Sequence, residues 1–260
     1  MWIFNYIWGK IFEFLFFPFR NLSPWLGMIF ISLLTGLFML VVFKYTSNQK
    51  GINQVKNKIK AHLLEIRLFK DNFSLSLKAQ GNILRYNLKY ISYSFKPMLV
   101  MIIPLILILI QLNLWFGYHS LVSGQKAIVK VKLKSEYNPL DLKLKIEPSP
   151  GFVVDSPPLR IEEEKEINWR IQAKKKGIYP LIIKVDNNNY QKKVAIGQNS
   201  LTKISPVKVN QNIWAELLYP GEKPLSSESP LKSIEITYSS KKMNLFGLHL
   251  HWLIVYFALS

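Results

Sequence analysis

Apolar positions follow three different rhythms along the chain. Two runs carry no charge at all, Trp25 to Phe43 and Met98 to Trp115. A hydrocarbon core about 30 Å thick takes about 20 helical residues to cross. Residues 25–43 and 98–116 are therefore predicted as transmembrane helices. Gly27, Ser32, Thr35 and Gly36 lay a small, mildly polar stripe on the first, and Pro104, Gln111 and Asn113 do the same on the second. Pro104 removes one backbone donor and loosens its helix locally. A third apolar run, Leu245 to Ser260, is shorter. It is predicted as an incomplete third transmembrane helix over 245–260 that continues past Ser260, since a helix stopping inside the bilayer strands its last carbonyls.

A second rhythm has the helical period. Phe4, Ile7, Ile11 and Leu15 share one face of residues 1–24, a segment dense in Trp and Phe. That pattern predicts an interfacial amphipathic helix with its rings at headgroup depth. Lys10, Glu13 and Arg20 interrupt the segment and no small-residue cleavage site follows, so it does not read as a cleavable signal. Between the two spans, Ile52, Val55, Ile59, Leu63 and Ile66 again mark one helix face. Lys56, Lys58, Lys60 and Arg67 occupy the other face. Asp71-Asn72 breaks the run, and a second helix follows with Leu77, Leu84, Leu88 and Ile91 on one side. Residues 44–97 are thus predicted as an antiparallel helical hairpin.

The third rhythm has period two. Ala127, Val129, Val131 and Leu133 alternate with Ile128, Lys130, Lys132 and Lys134, Leu140 to Ile146 and Ile167 to Ile171 alternate with polar positions, and Tyr179, Leu181, Ile183 and Val185 form a fourth set. Asp186 to Asn189 makes a turn into Tyr190–Ile196. Strands with one wet and one dry face predict an antiparallel sandwich over 117–243. The Trp169 strand, and Gly177-Ile178-Tyr179 leading into the next, resemble an immunoglobulin-like sandwich without a disulfide. Glu162–Glu164 and Lys174–Lys176 read as solvated strand ends. Residues 198–231, rich in Pro, Ser and Asn, read as an extended arm, and Ile234, Ile236 and Tyr238 as a last strand.

Charge orients these parts. The chain of 260 residues carries a formal charge of +18. Residues 44–97 hold 11 basic residues against Glu65 and Asp71. A short, strongly basic loop stays in the cytoplasm, whereas a long domain crosses largely regardless of charge. The N-terminus and residues 117–243 are then outside and the hairpin inside. No basic patch carries a nucleic-acid motif, so DNA is not an expected partner. The absence of Cys excludes disulfides, thiol nucleophiles and Cys-based metal sites. Four scattered His, with His249 and His251 too closely spaced to share a helix face, predict no metal site. Phosphate loops, nucleophile elbows and paired carboxylate motifs are missing, so neither enzymatic activity nor a cofactor is expected.

The order of parts, and the stretch Ser47 to Asn72 placed directly after the first span, resemble the YidC/Oxa membrane-insertase superfamily. An outer amphipathic helix, a span, a cytoplasmic hairpin and two further spans would match 1–24, 25–43, 49–95, 98–116 and 245–260. The resemblance implies a mildly polar intramembrane groove that lowers the cost of moving a polar segment into the bilayer. By that resemblance Ser32, Thr35, Gln111 and Asn113 are the groove candidates, and Lys56, Lys58, Lys60 and Arg67 form a cytoplasmic basic surface. Neither span contains an Arg or Lys, and the external β domain between spans two and three departs from the family's plan. The expected function is insertase-like assistance of membrane-protein insertion or assembly. The expected location is the bacterial inner membrane as a multi-pass protein. The lipid bilayer is one partner, and nascent membrane proteins or the ribosome at the hairpin are others. The alternative is a non-catalytic structural or adaptor subunit of an envelope complex, binding other envelope proteins through its β-sandwich.

Overall fold

A Pro at the first helical position and a long uncharged apolar run specify a long helix, and the computed structural model has one at Pro24–Thr46 (α2). The model describes residues 1–197, 201–245 and 247–260. Before α2 come α1 (Trp2–Phe16) and a short 3-10 turn, Phe17–Phe19. After it come α3 (Gln49–Leu68) and α4 (Phe73–Phe116). The remainder combines antiparallel sheets with short helices. Both α2 and α4 are long and apolar enough to cross a membrane. The chain divides into two compact units, Met1–Ile31 with Leu109–Leu259, and Ser32–Ile108 with Ser260.

The unit Ser32–Ile108 holds the helical hairpin. Asn48 caps α3, its Oδ1 accepting the Gly51 amide at 2.9 Å, and Asn72 caps α4 by accepting from Leu75 at 3.1 Å. Lys56 lies over the Tyr90 ring at 5.7 Å, and the His62 and Tyr86 rings stack at 5.5 Å. Partner numbers that fall along one helix as they rise along the other define an antiparallel pair. On α3 the packed face is the expected one, with Ile52 and Val55 buried, although Leu63 is exposed. On α4 the expectation is corrected. Leu77, Leu84, Leu88 and Ile91 are exposed, while Ala79 is buried and Tyr86, Tyr90 and Tyr93 are half-buried. Two parallel stripes run along this helix, and ring contacts to Lys56 and His62 select the aromatic one over the aliphatic one. A further difference is continuity. α4 carries Pro97 and Pro104 inside it and runs unbroken for 44 residues through both the second hairpin arm and the predicted second span.

The other unit holds the β domain. Its strands are β1 (Lys126–Leu133), β2 (Leu144–Ile146), β3 (Phe152–Val154), β4 (Leu159–Ile161), β5 (Glu166–Ala173), β6 (Gly177–Val185), β7 (Asn188–Ile196), β8 (Val207–Val209) and β9 (Leu231–Ile236). One sheet has the order β3-β5-β1-β9-β8, with β4 also on β5, and a three-stranded sheet has the order β2-β6-β7. Val129 is flanked by Trp169 on β5 and Ile236 on β9, and all three are buried. Leu181, Ile183 and Val185 from the smaller sheet join the same hydrophobic core. The β6–β7 turn closes on Asp186 at φ 50°, a left-handed conformation that Asp tolerates.

Two expectations are corrected here. The strand proposed from Leu140 survives only as Leu144–Ile146. The Arg160 guanidinium donates to the carbonyls of Pro139, Leu140 and Leu142, and so takes acceptors a ladder would use. The supposed arm 198–231 is part of the fold. It supplies β8, paired with β9, and the helix α5 (Ile213–Leu218), capped by Asn212. Residues 198–200 of that arm lie outside the described residues.

The first part of the predicted third span is strand rather than helix. Lys242–Leu245 (β10) and Leu248–His251 (β11) pair as a hairpin, and only Trp252–Leu259 (α6) is helical. Gly247 turns at φ 85°, and its amide donates to the Asn244 side chain at 2.9 Å. Leu-His-Leu-His alternates with period two, and that rhythm prevails over the composition of the run. Phe246 of this run lies outside the described residues.

Candidate functional site

Polar side chains inside the two apolar helices are the first candidates. On α2 a buried stripe of Gly27, Met28, Ile31, Ser32 and Thr35 opposes an exposed, wholly apolar face that includes Leu26, Ile29, Phe30, Leu33, Leu37 and Leu40. On α4 the apolar Met98, Leu99, Ile102, Ile103 and Ile106 are exposed. Contiguous apolar exposure on this scale fits contact with hydrocarbon rather than water.

Ser32, Thr35 and Gln111 are buried, while Asn113 is half-buried. Ser32 Oγ and Gln111 Oε1 have no hydrogen-bond partner among the described residues. Ser32 and Thr35 fall in one compact unit and Gln111 and Asn113 in the other. Gln111 sits beside α1, where a Cβ on Gly9 would lie 4.0 Å from its Oε1 and 3.2 Å from Lys203 Nζ. Asn113, two positions on, takes a different direction, close to Gly117. Lys56, Lys58, Lys60 and Arg67 are all exposed on α3.

α1 is held by its polar positions. Asn5, Gly9, Phe12 and Phe16 form its buried face. Phe16 packs against the rings of Trp115 at 4.9 Å and Phe116 at 5.6 Å. Asn5 Nδ2 donates to the Glu216 carbonyl at 2.8 Å, and Lys203 approaches Glu13 at 3.5 Å. The apolar Ile3, Phe4, Ile7, Ile11 and Phe14 are left exposed.

Beneath this helix lies a group that strand parity could have revealed. Lys192 shares the inward phase of β7 with Val194 and Ile196, so a cation is driven into the core. Its Nζ donates to Glu222 Oε1 and to the Ser205 carbonyl, each at 2.8 Å. Burial holds its ammonium below the usual lysine range, and Glu222 opposes that shift. Nothing in the local sequence links Glu222 to it, because the pair joins β7 to a distant loop. Among the described residues no group of three or more His, Asp or Glu side chains is placed to hold a metal ion.

No protein-family model and no curated protein matches the chain. A solved structure, domains 4 and 5 of the S-layer protein SbsC, is similar over 30% of this chain and 46% of its own, with 21% identity and a TM-score of 0.24.

Proposed function

We propose that the chain is an insertase-like integral membrane protein that assists membrane-protein insertion or assembly. Its helical hairpin lies in the cytoplasm, and its β domain, an immunoglobulin-like sandwich, lies outside the bacterial inner membrane. The observation that carries this reading is the burial of Ser32, Thr35 and Gln111 in the uncharged apolar runs of α2 and α4, two of them without a partner for a polar atom among the described residues. A polar atom in dry hydrocarbon costs several kcal/mol, on the order of 2–7 for a hydroxyl or amide. Such positions are useful where a polar client segment or water satisfies them in passing. With no cation inside either span, the path suits mildly polar segments rather than acidic ones. The basic face of α3 meets nascent chains or ribosomal surface, and its surplus of cations orients the hairpin inward.

The test is reconstitution of the full chain in proteoliposomes with ribosome-bound nascent membrane proteins. A photocrosslinker at Ser32 or Thr35 should capture the client, and Gln111→Leu should weaken capture severalfold. The large β domain favours a second reading, an adaptor subunit that binds envelope proteins. Absence of any nascent-chain crosslink, together with a stable partner retained in mild detergent, would select that reading instead.

A further inference from the structure

Two adjoining cavities open where α1 meets the β domain, one of about 470 Å³ and the next of about 430 Å³. They share Glu13, Lys193, Lys203, Gly221 and Glu222. Lys10, Arg20, Lys193, Lys203, Lys208 and Lys223 border them, against the carboxylates of Glu13 and Glu222. Both carboxylates are already engaged. Glu13 meets Lys10 at 2.7 Å and Lys203 at 3.5 Å. Glu222 Oε1 meets the buried Lys192, and its Oε2 accepts from the Lys193 amide at 3.1 Å. Lys208 Nζ donates to a neutral acceptor, the Gln191 carbonyl, at 2.6 Å. Positive charge is therefore in surplus. Burial holds the Lys203 and Lys208 ammonium groups below the usual lysine range. At Lys208 the charges of Lys192, Lys223 and Lys193 add to that effect, against the pull of Glu222. An added anion would relieve this repulsion and form charge-assisted hydrogen bonds.

α1 determines which anion arrives. Its exposed apolar face and the Trp2 and Tyr6 rings at the cavity rim suit a helix lying at headgroup depth. The cleft then opens into the layer where phosphodiester groups are concentrated.

We propose that this cleft binds the phosphate of an anionic phospholipid headgroup, with Lys193, Lys203 and Lys208 as its ammonium donors. The proposal rests on α1 lying at the membrane surface and does not require the client path proposed above.

The test uses the purified full chain in a non-ionic detergent, titrated with short-chain phosphatidylglycerol, short-chain phosphatidylcholine and glycerol 3-phosphate in separate arms. Phosphatidylglycerol should bind saturably and phosphatidylcholine much more weakly. Lys193→Gln/Lys208→Gln should weaken phosphatidylglycerol binding about 30-fold, from roughly fivefold per cation at a membrane surface. Lys193→Arg/Lys208→Arg should retain binding, which separates lost charge from lost folding. Glycerol 3-phosphate binding as tightly as the lipid would support the phosphate site while assigning it a soluble ligand. Equal affinity for the two lipids, or a Gln variant as tight as the unmodified protein, would overturn the proposal.

Discussion

Glu222→Gln isolates the buried charge of the β domain. The Lys192 side chain has 0% exposure and that of Glu222 8%, at a separation of 2.8 Å. Neutralising Glu222 leaves the ammonium with the Ser205 carbonyl and a neutral amide oxygen in place of a carboxylate. Breaking a buried pair by removing one partner costs about 3–5 kcal/mol. Loss of the Lys192 proton limits that cost, and fixes a direction with pH. Burial already holds the Lys192 ammonium below its ordinary value, and Glu222 is the main influence raising it. In the variant it falls further. Between that lowered value and the ordinary lysine range, the unfolded chain binds more protons than the folded one. Stability then rises with pH, because the slope follows the protons bound by the unfolded state minus those bound by the native state. Amide hydrogen exchange of β6 and β7, read by mass spectrometry on the full chain in detergent, measures this locally. Relative to the unmodified protein, exchange should accelerate roughly a hundredfold or more at pH 7. The ratio should shrink as pH increases toward 9. Lys192→Met/Glu222→Leu should recover most of the protection. Exchange within about threefold of the unmodified protein at pH 7, or a ratio that grows with pH, would refute the assignment of a charged buried pair.

Tyr238→Phe removes the hydroxyl that accepts the Ala195 amide at 3.1 Å on the side of β7 away from β6, and should cost about 1–3 kcal/mol in urea unfolding of the full chain in detergent. Exchange at Ala195 itself should rise more than at its neighbours, and an unchanged Ala195 rate would sink this explanation. Gly151→Ala drives a methyl into the Tyr179 ring while the Gly151 carbonyl is pinned by the Lys174 amide at 2.8 Å, for an expected loss of about 1–3 kcal/mol. Adding Tyr179→Ala should make the glycine substitution nearly neutral, and strict additivity of the two changes would rule out the clash.

Much of the architecture was legible because periodicity is a local property. The α2 stripe, the β1, β5 and β6 phases and the turn at Asp186 all follow from spacing alone. The hairpin's second arm was misread because α4 offers two stripes of equal period, and only contacts to Lys56 and His62 choose between them. The strand from Leu140 was lost to Arg160, some twenty residues away in sequence. The tail was misread because apolar content outweighed the Leu-His alternation. Of the groove candidates, the burial of Ser32, Thr35 and Gln111 was foreseeable from their place in apolar runs, but not the proximity of Gln111 to α1. The basic cleft was illegible, since its lysines come from β7, β8 and the loops beside them, and acquire meaning only when folded together.

One detail of the larger sheet bears on how the molecule is made. β9 lies between β1 and β8, yet Val131 on β1 and its partner Ile234 are more than a hundred positions apart. As the polypeptide emerges, β1 finds β5 early and then waits with a bare edge. β8 has no strand partner until Ser233 to Glu235 of β9 have been synthesised. Such distant pairing is slow, and an open edge invites the wrong partner in the interval. Newly made chains truncated before Leu231 are therefore the species most prone to aggregate, and synthesis of β9 is what closes the sheet.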